Sequence, residues 1–208
     1  MVTKQGNRVH AFLGVPFAQP PTGPRRFAAP VPARPWSPQT LRATRVPPAC
    51  PQREFAGLPV PAEQSEDCLY LSVLTPAPSA ASSLYLASAA QLKPVLVVLH
   101  GGAFMIGSAA FVYPPAGVAA NIVSRDVVVV MPNYRLGAFG FFVTPGRAPF
   151  TSGNYAIADM IEALRWVRRE IRQFGGDPSR VTVYGESAGS MAVSLLTLLP
   201  EADGWFFE

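Results

Sequence analysis

Two kinds of hydrophobic pattern alternate along the second half of this chain. Residues 95–99 and 127–131 are unbroken apolar runs, which is typical of strands buried on both faces of a largely parallel sheet. Between residues 154 and 174 the apolar positions instead recur every three or four residues, which predicts an amphipathic helix with its charged residues, Glu162 among them, on the other faces. The sequence Gly-Gly-Asp-Pro at 175–178 predicts the end of that helix, because glycine readily adopts left-handed geometry and proline cannot continue a helix.

Shorter segments complete the predicted order of elements. Residues 8–13, 69–74 and 181–184 have the composition of short strands, and residues 190–199 have that of a helix. From residue 127 onward the predicted order is therefore strand, helix, strand, helix, which is a right-handed crossover in an α/β sheet. We predict an α/β fold with a mostly parallel central sheet and flanking helices.

Proline content separates the first half of the chain from the second. Most of the 23 prolines lie between Pro16 and Pro78, so this part is predicted to consist of loops and edge strands rather than long helices. Residues 76–92, which are rich in alanine, serine and proline, are predicted to form a surface insertion between two strands. The 208 residues are enough to bury one substantial core.

Composition and charge exclude several classes of protein. Hydrophobic residues make up 49% and charged residues 14% of the chain, which is a globular rather than a disordered composition. No apolar run reaches the 18 or so residues that a membrane helix needs, so no transmembrane segment is expected. The net charge of +4 is dispersed, so nucleic acid is not an expected partner. No cofactor and no metal site are predicted, and the sequence does not indicate an oligomeric state.

A candidate nucleophile lies where the predicted strand 181–184 runs into the sequence Gly-x-Ser-x-Gly at 185–189. A sharp strand-to-helix turn of this kind holds a serine hydroxyl exposed, and the small glycines avoid collisions with the neighbouring strand and helix. Ser187 is therefore the predicted nucleophile. Taken alone, the motif is also compatible with an ordinary turn rich in glycine and serine.

A second motif makes the catalytic interpretation the stronger one. The sequence His-Gly-Gly-Ala-Phe at 100–104 directly follows the apolar run 95–99, where a loop that contributes amides to an oxyanion hole is expected. Gly102 and Ser187 both follow predicted strands, and ligands of such sheets bind beyond the carboxyl ends of the strands, so the two residues can share one crevice. A helix that starts at Ala188 would add the positive end of its dipole.

Several motifs in the same order resemble the type-B carboxylesterase/cholinesterase family of α/β-hydrolases, and they extend along nearly the whole chain. They are Phe12-Leu13-Gly14-Val15-Pro16-Phe17-Ala18, Pro24-Arg25-Arg26-Phe27, Ser65-Glu66-Asp67-Cys68-Leu69-Tyr70-Leu71, His100-Gly101-Gly102-Ala103-Phe104, Asn133-Tyr134-Arg135-Leu136-Gly137-Ala138-Phe139-Gly140-Phe141, Gly153-Asn154-Tyr155, Phe174-Gly175-Gly176-Asp177-Pro178 and Gly185-Glu186-Ser187-Ala188-Gly189. The resemblance implies a serine esterase that hydrolyses carboxylic esters through an acyl-enzyme.

The resemblance also assigns roles to individual residues. Ser187 would be the acylated nucleophile, and the backbone N–H groups of Gly102, Ala103 and Ala188 would form the oxyanion hole. Ala103 stands where many members have a third glycine, but a backbone donor survives that change. The family's scaffold ion pairs would join Arg26 to Glu66 and Arg135 to Asp159.

The two cysteines give information about the cellular compartment of the protein. The residues alone leave open whether Cys50 and Cys68 form a bridge or remain two buried thiols, whereas the resemblance implies a disulfide between them. A disulfide would favour a secreted or ER-lumenal protein. The polar start of the chain does not have the pattern of a signal peptide, so it indicates either an intracellular protein or a missing beginning.

The loop between the cysteines also bears on the substrate. In cholinesterase-like members this loop is longer and carries a tryptophan that stacks on the choline cation. Here the only aromatic residue of the loop is Phe55, so recognition of a cation by that route is unsupported. A neutral, small-molecule carboxylic ester is the expected substrate.

The catalytic base is the missing part of the pattern. In this family the order along the chain is serine, then glutamate or aspartate, then histidine, but both histidines of this chain, His10 and His100, precede Ser187. His10 is expected to have a surface or packing role, and His100 to support the shape of its loop. Glu186 and Asp203 are the nearest acids and have no better claim to a place in the triad.

These gaps predict an incomplete chain. We expect residues 1–208 to be a partial carboxylesterase type-B domain, truncated at both ends, with weak or no activity by itself. The segment 204–207 resembles the approach to a further strand, and a sheet that ends beside the nucleophile strand would expose an apolar edge prone to aggregation. The alternative function is a non-catalytic, cholinesterase-like adhesion or binding protein, which has no need to retain Ser187.

Overall fold

The computed structural model describes residues 1, 6, 8–77, 92–143 and 153–202. Five strands of this part form one sheet in the order β1-β2-β4-β3-β5. Their bounds are β1 Val9–Pro16, β2 Tyr70–Pro76, β3 Lys93–Leu99, β4 Val128–Pro132 and β5 Gly176–Gly185. Most of the insertion predicted at 76–92, together with Asp203 and the segment 204–207, lies outside the described residues.

The sheet is mixed, and most of its strands run in one direction. β1 pairs antiparallel with β2, and β2 pairs antiparallel with β4, whereas β3 is parallel to both β4 and β5. Among the described strands, β2 alone therefore runs against the other four. The predicted α/β class with a mostly parallel sheet is confirmed.

Helices cover both faces of this sheet. Their bounds are α1 Ala109–Val112, α2 Pro115–Asn121, α3 Gly137–Phe141, α4 Tyr155–Glu170 and α5 Ala188–Leu196. In β4 the side chains of Val128 and Val130 pack with α4 and α5, while Val129 and Met131 pack with α2 on the opposite face. This alternation explains the unbroken apolar run, because a strand covered on both faces has no solvent-facing position.

The long helix follows the predicted pattern with one correction. α4 continues into a short 3-10 turn at Ile171–Phe174 and ends at Gly175, whose φ of 81° is the expected left-handed C-cap. Glu162, expected on a polar face, is instead buried. Its carboxylate accepts a hydrogen bond from Arg169 at 3.0 Å, so the arginine two turns further along compensates the buried charge.

The borders of the last two elements also differ from the prediction. β5 begins at Gly176 rather than at residue 181, because Gly176 already pairs with Lys93 ahead of a shift in register. α5 begins at Ala188, as expected for a helix whose dipole lies beside Ser187, and ends at Leu196 rather than at residue 199. Among the described strands β5 has β3 as its one neighbour, so it forms an edge of the sheet, as predicted.

The proline-rich part is held by side chains rather than by regular structure. Residues 17–69 contain one short 3-10 turn and isolated bridges, as predicted for this part. The disulfide between Cys50 and Cys68 is present, and so is the expected pair of Arg26 with Glu66, which forms two hydrogen bonds of 2.6 Å. These contacts attach an irregular segment to the beginning of β2.

The second expected ion pair is buried beneath the sheet. Arg135 donates to both carboxylate oxygens of Asp159 at 2.8 Å, and the two side chains are 3% and 0% exposed. A buried pair with such geometry is costly to break, because either partner alone would leave an uncompensated charge. Across the described residues, no helix has the length and apolar character that crossing a bilayer requires.

Candidate active site

Ser187 lies in the sharp turn between β5 and α5. Its φ of 54° and ψ of −122° fall in a region that residues other than glycine rarely occupy. Such a conformation persists only where the surrounding structure determines it. The serine is exposed, so its hydroxyl is accessible to a ligand.

Two glycines make this turn possible. A Cβ atom on Gly185 would lie 2.2 Å from the carbonyl carbon of Gly189, and a Cβ atom on Gly189 would lie 2.2 Å from the carbonyl oxygen of Leu99. The start of α5 therefore packs with direct backbone contact against the ends of β5 and β3. No other amino acid fits at either position without displacing the backbone.

The loop 101–107, which leaves β3, lies directly against Ser187. A Cβ atom on Gly101 would be 3.1 Å from the Cβ atom of Ser187 and 2.4 Å from a carboxylate oxygen of Glu186. The loop then turns through positive φ angles at Gly102, Ala103 and Phe104, which are 116°, 55° and 59°. The N–H groups of Met105 and Ile106 donate to the Gly102 carbonyl at 2.9 and 3.0 Å and close the turn.

Three backbone amides near the serine have no partner among the described residues. They are the N–H groups of Gly102, Ala103 and Ala188. Gly102 and Ala103 line a cavity of about 400 Å³ together with Ser187, while Ala188 is the next residue along the chain. Unpaired backbone donors are rare in folded proteins unless they face solvent or a ligand. The structure thus brings together the four residues that the sequence singled out.

His100 is packed inside the protein rather than exposed to the cavity. Its side chain is fully buried and stacks on Tyr134 with 4.3 Å between ring centres, and its Nδ1 atom lies 2.8 Å from the Gly101 carbonyl oxygen. Burial lowers the pKa of His100 to about 4, so the ring is neutral near pH 7 and Nδ1–H donates to that carbonyl. A side chain held in this way supports the shape of the loop, as expected, and is not accessible as a base.

Of the other residues considered for the triad, His10 lies far from Ser187, and Glu186 lies beside Ser187 without a histidine between them. His10 is exposed on β1, at the opposite edge of the sheet from β5. Glu186 is exposed beside Ser187, with its carboxylate against Gly101. Asp203 lies outside the described residues. No group of three or more metal-ligating side chains is found within the described ranges.

Apolar side chains surround the entrance to the cavity. Phe55, Leu58, Phe111 and Val112 line it and are each partly exposed, Phe55 to 43%. Glu186 is the one charged residue among the described residues that line the cavity. The disulfide-closed loop and α1 thus supply an apolar rim, and none of the described residues that line the cavity is basic.

Two residues that sequence reasoning missed connect the disulfide-closed loop to the site. Asn133 accepts a hydrogen bond from the Ala109 amide at 3.0 Å and donates to the carbonyls of Pro48 and Cys68 at 3.2 and 3.4 Å. The side chain of Gln52 bonds to the backbone of Gly107. The residues that make these contacts are far apart in sequence, so no local pattern could have revealed them.

Comparisons with known proteins agree with this geometry. The sequence model of the carboxylesterase family matches residues 1–208. The chain is 43% identical over 209 residues to carboxylesterase 1C of Rattus norvegicus, covering 95% of this chain and 35% of that protein. It is 43% identical over 208 residues to the cocaine esterase of Homo sapiens, covering 95% of this chain and 34% of that protein.

Solved structures give the same result. A thermophilic PNB esterase matches with a TM-score of 0.80 and 42% identity, over 95% of this chain and 39% of that chain. This chain spans about a third of the length of the curated relatives it matches.

Proposed function

Because this chain belongs to the carboxylesterase family, we propose that it forms the nucleophile-bearing part of an enzyme that hydrolyses carboxylic esters through an acyl-enzyme at Ser187. The observation that carries the proposal is the exposed Ser187 in a strained turn, beside unpaired amides that border the same cavity. A strained, accessible serine next to free donors serves no evident purpose in a purely structural turn.

The first half of the reaction forms the acyl-enzyme. The Oγ atom of Ser187 gives its proton to a base and bonds to the ester carbon, while the electron pair of the carbonyl double bond moves to the oxygen. The N–H groups of Gly102, Ala103 and Ala188 would stabilise that oxygen, and one donor of this kind is worth about 3 kcal/mol. When the carbonyl reforms, the bond to the alcohol oxygen breaks, and the leaving alkoxide takes the proton from the base.

The second half returns the enzyme to its starting state. Water gives a proton to the same base and attacks the acyl carbon, the same amides hold the new oxyanion, and Ser187 leaves with the proton as the carboxylic acid forms. We assign the base to a histidine outside this chain, since His100 is buried against Tyr134 and His10 lies at the far edge of the sheet.

The apolar rim supports a neutral ester as the substrate. Phe55, Leu58 and Phe111 offer apolar surface for an acyl or alcohol group, and the carboxylate of Glu186 disfavours a negatively charged substrate. The loop that contributes Phe55 has no tryptophan for binding a quaternary ammonium group. The disulfide between Cys50 and Cys68 supports a secreted or ER-lumenal location.

Covalent labelling tests the proposal on the natural protein, in whatever length the cell produces it. A fluorophosphonate probe followed by peptide mass spectrometry should modify Ser187, and Ser187→Ala should abolish the labelling. Ser194→Ala is the matched control, because Ser194 is an exposed serine on α5, the helix that follows Ser187. The Ser194 hydroxyl donates to the Ser190 carbonyl. A folded protein that fails to label at Ser187 would instead favour a binding or adhesion role.

Turnover by the isolated chain tests the assignment of the base. The 208-residue polypeptide should hydrolyse p-nitrophenyl esters about 10⁶-fold more slowly than an intact relative, because neither of its two histidines, His10 and His100, is an accessible base beside Ser187. Rapid turnover that is lost in Ser187→Ala would show that the chain supplies its own base and would refute that assignment.

A further inference from the structure

Gln52 connects the disulfide-closed loop to the loop 101–107 through a paired hydrogen bond. Its side-chain oxygen accepts from the Gly107 N–H at 2.6 Å, and its side-chain nitrogen donates to the Gly107 carbonyl at 2.8 Å. The same nitrogen donates to the Cys50 carbonyl at 2.9 Å, and the Gln52 backbone N–H donates to the side-chain oxygen of Gln64 at 2.8 Å. One side-chain amide therefore satisfies both polar groups of Gly107 and is itself held in place on its own loop.

Gly107 is the residue through which such a contact can control the loop. It is buried, with a φ of 107°, and a Cβ atom there would lie 2.9 Å from Nδ1 of His100 and 3.0 Å from the carbonyl oxygen of Gly101. The end of the loop is thus packed against its beginning. A shift of Gly107 would be transmitted to Gly101 and, from there, to the amides of Gly102 and Ala103.

The other hydrogen bonds of this loop act on different residues, and one of them is donated by the Gly137 N–H to the Phe104 carbonyl at 2.8 Å. The turn closed by Met105 and Ile106 fixes the loop internally, and His100 fixes its first residue. Among the described residues, Gln52 is the side chain that fixes the last residue through hydrogen bonds to both its N–H and its carbonyl group. Oxyanion donors must be placed within a fraction of an ångström to act on the transition state, so this second anchor has a chemical consequence.

We infer that Gln52 is a positioning residue for the oxyanion hole, holding Gly107 so that the amides of Gly102 and Ala103 face Ser187. This inference rests on the proposed function. Gln52 touches neither Ser187 nor the ester in this scheme and acts through the loop 101–107. Its effect should therefore fall on the rate of the chemical step rather than on the binding of substrate.

The experiment compares two substitutions at Gln52 with one at Ser65 in the natural protein. Gln52→Glu preserves shape and the acceptor for the Gly107 N–H, but it places an oxygen against the carbonyls of Gly107 and Cys50. Gln52→Ala removes the whole contact. Ser65→Ala is the matched control, because the Ser65 hydroxyl accepts a hydrogen bond from the Asp67 N–H at 3.1 Å within the same disulfide-closed loop and bonds to neither Gln52 nor Gly107.

Steady-state kinetics with p-nitrophenyl butyrate, thermal unfolding and binding of a trifluoromethyl ketone are measured for each variant. Both Gln52 variants should lose about 10- to 100-fold in kcat with KM changed less than about threefold, and affinity for the ketone, which forms a tetrahedral adduct, should fall in parallel. Ser65→Ala should shift the unfolding temperature by a similar amount while kcat stays within about threefold of the wild type.

The outcomes separate the two proposals. If the wild type is active and folded Gln52→Glu retains its kcat, or if Ser65→Ala loses kcat as strongly as Gln52→Ala, then the contact stabilises the loop without positioning the amides and the inference is wrong. If the wild-type protein neither hydrolyses esters nor labels at Ser187, the proposed function fails, and the role of Gln52 in an oxyanion hole is overturned with it.

Discussion

The two parts of the candidate site are held by different kinds of contact. The turn at Ser187 is fixed by backbone packed on backbone, since Gly185 and Gly189 leave no room for a side chain. The loop 101–107 has backbone contacts of its own, but its two ends are also fixed by side chains, Gln52 at Gly107 and His100 at Gly101, and Tyr134 bonds to the His100 carbonyl just before the loop. Backbone contacts cannot be varied without changing the fold, whereas side-chain contacts can be changed one at a time.

Because of this difference, substitutions in the turn and substitutions in the loop should have effects of different size. Ser187, the proposed nucleophile, has one permissible position, and any substitution that moves it should abolish the site. The proposed oxyanion donors occupy a position that several side chains share in setting, so substitutions there should change the rate or the stability by measurable increments.

The largest effect is expected from Gly189→Ala. The new Cβ atom would lie 2.2 Å from the Leu99 carbonyl oxygen, so α5 must move away from β3, and the free energy of unfolding should fall by about 3 kcal/mol or more. Gly117→Ala is the control, because nothing lies within 4 Å of a Cβ atom there and Gly117 is in α2. It should stabilise the protein by about 0.5 kcal/mol in urea unfolding. Similar results for the two variants would contradict the backbone account of the turn.

A pH effect is expected from His100. The unfolded histidine binds a proton below its ordinary pKa of 6.5, whereas the folded residue binds one only near its lowered pKa of about 4. Between these values the unfolded state holds more protons, so acidification destabilises the fold, by about 3 kcal/mol across this window. His100→Gln should remove this part of the loss in urea unfolding at pH 7, 5.5 and 4.5. Parallel pH profiles for the wild type and the variant would show that His100 is accessible to protons.

A smaller effect is expected from Tyr134→Phe. The Tyr134 hydroxyl donates to the His100 carbonyl at 2.5 Å, and burial raises the pKa of Tyr134, so the group remains a donor. Phenylalanine keeps the stacking on His100 and removes only this hydrogen bond, which should cost about 1 kcal/mol in unfolding experiments. Tyr113→Phe is the control, because the buried Tyr113 hydroxyl has no partner among the described residues, and its removal should be neutral or stabilising. A larger loss for Tyr113→Phe would reverse the interpretation.

The smallest effect is expected from Ala103→Gly. Ala103 has a φ of 55°, which is unfavourable for alanine, but glycine also gains freedom in the unfolded chain. The two terms oppose each other, so a net stabilisation of about 0.5 kcal/mol is expected in thermal unfolding. Ala56→Gly provides the comparison, since Ala56 has a φ of 53° in the disulfide-closed loop. If Ala103→Gly is clearly destabilising while Ala56→Gly is not, the methyl group of Ala103 has a packing role.

Sequence patterns predicted the central elements because these depend on local periodicity. The apolar runs became β3 and β4, and the helical repeat became α4, which ends at the expected glycine. The Gly-x-Ser-x-Gly motif predicted the turn at Ser187 because the turn leaves no space for a side chain at Gly185 or Gly189, and both glycines lie within the five residues of the motif. The disulfide and the two scaffold ion pairs followed from the family resemblance and are present.

The missed features depend on how the elements pack. Glu162 has the polarity of a surface residue, yet it is buried in the folded protein, where arginines on its own helix compensate its charge. Gly176 belongs to β5 because Lys93 lies beside it, which nothing in the local sequence indicates. Gln52 and Gly107 are 55 positions apart, and either residue alone would pass as an ordinary loop residue.

The amino-acid sequence by itself therefore determined which segments become strands and helices and that Ser187 lies in a sharp strand-to-helix turn, since backbone periodicity and glycine sterics act over a few residues. The amides proposed to serve Ser187 came from the family resemblance. The tertiary structure alone decided the order of the strands, the burial of His100 and Glu162 and the support of the loop 101–107 by Gln52. These features depend on which groups meet once the chain has folded, and the free energy of such contacts depends on partners that are remote in sequence.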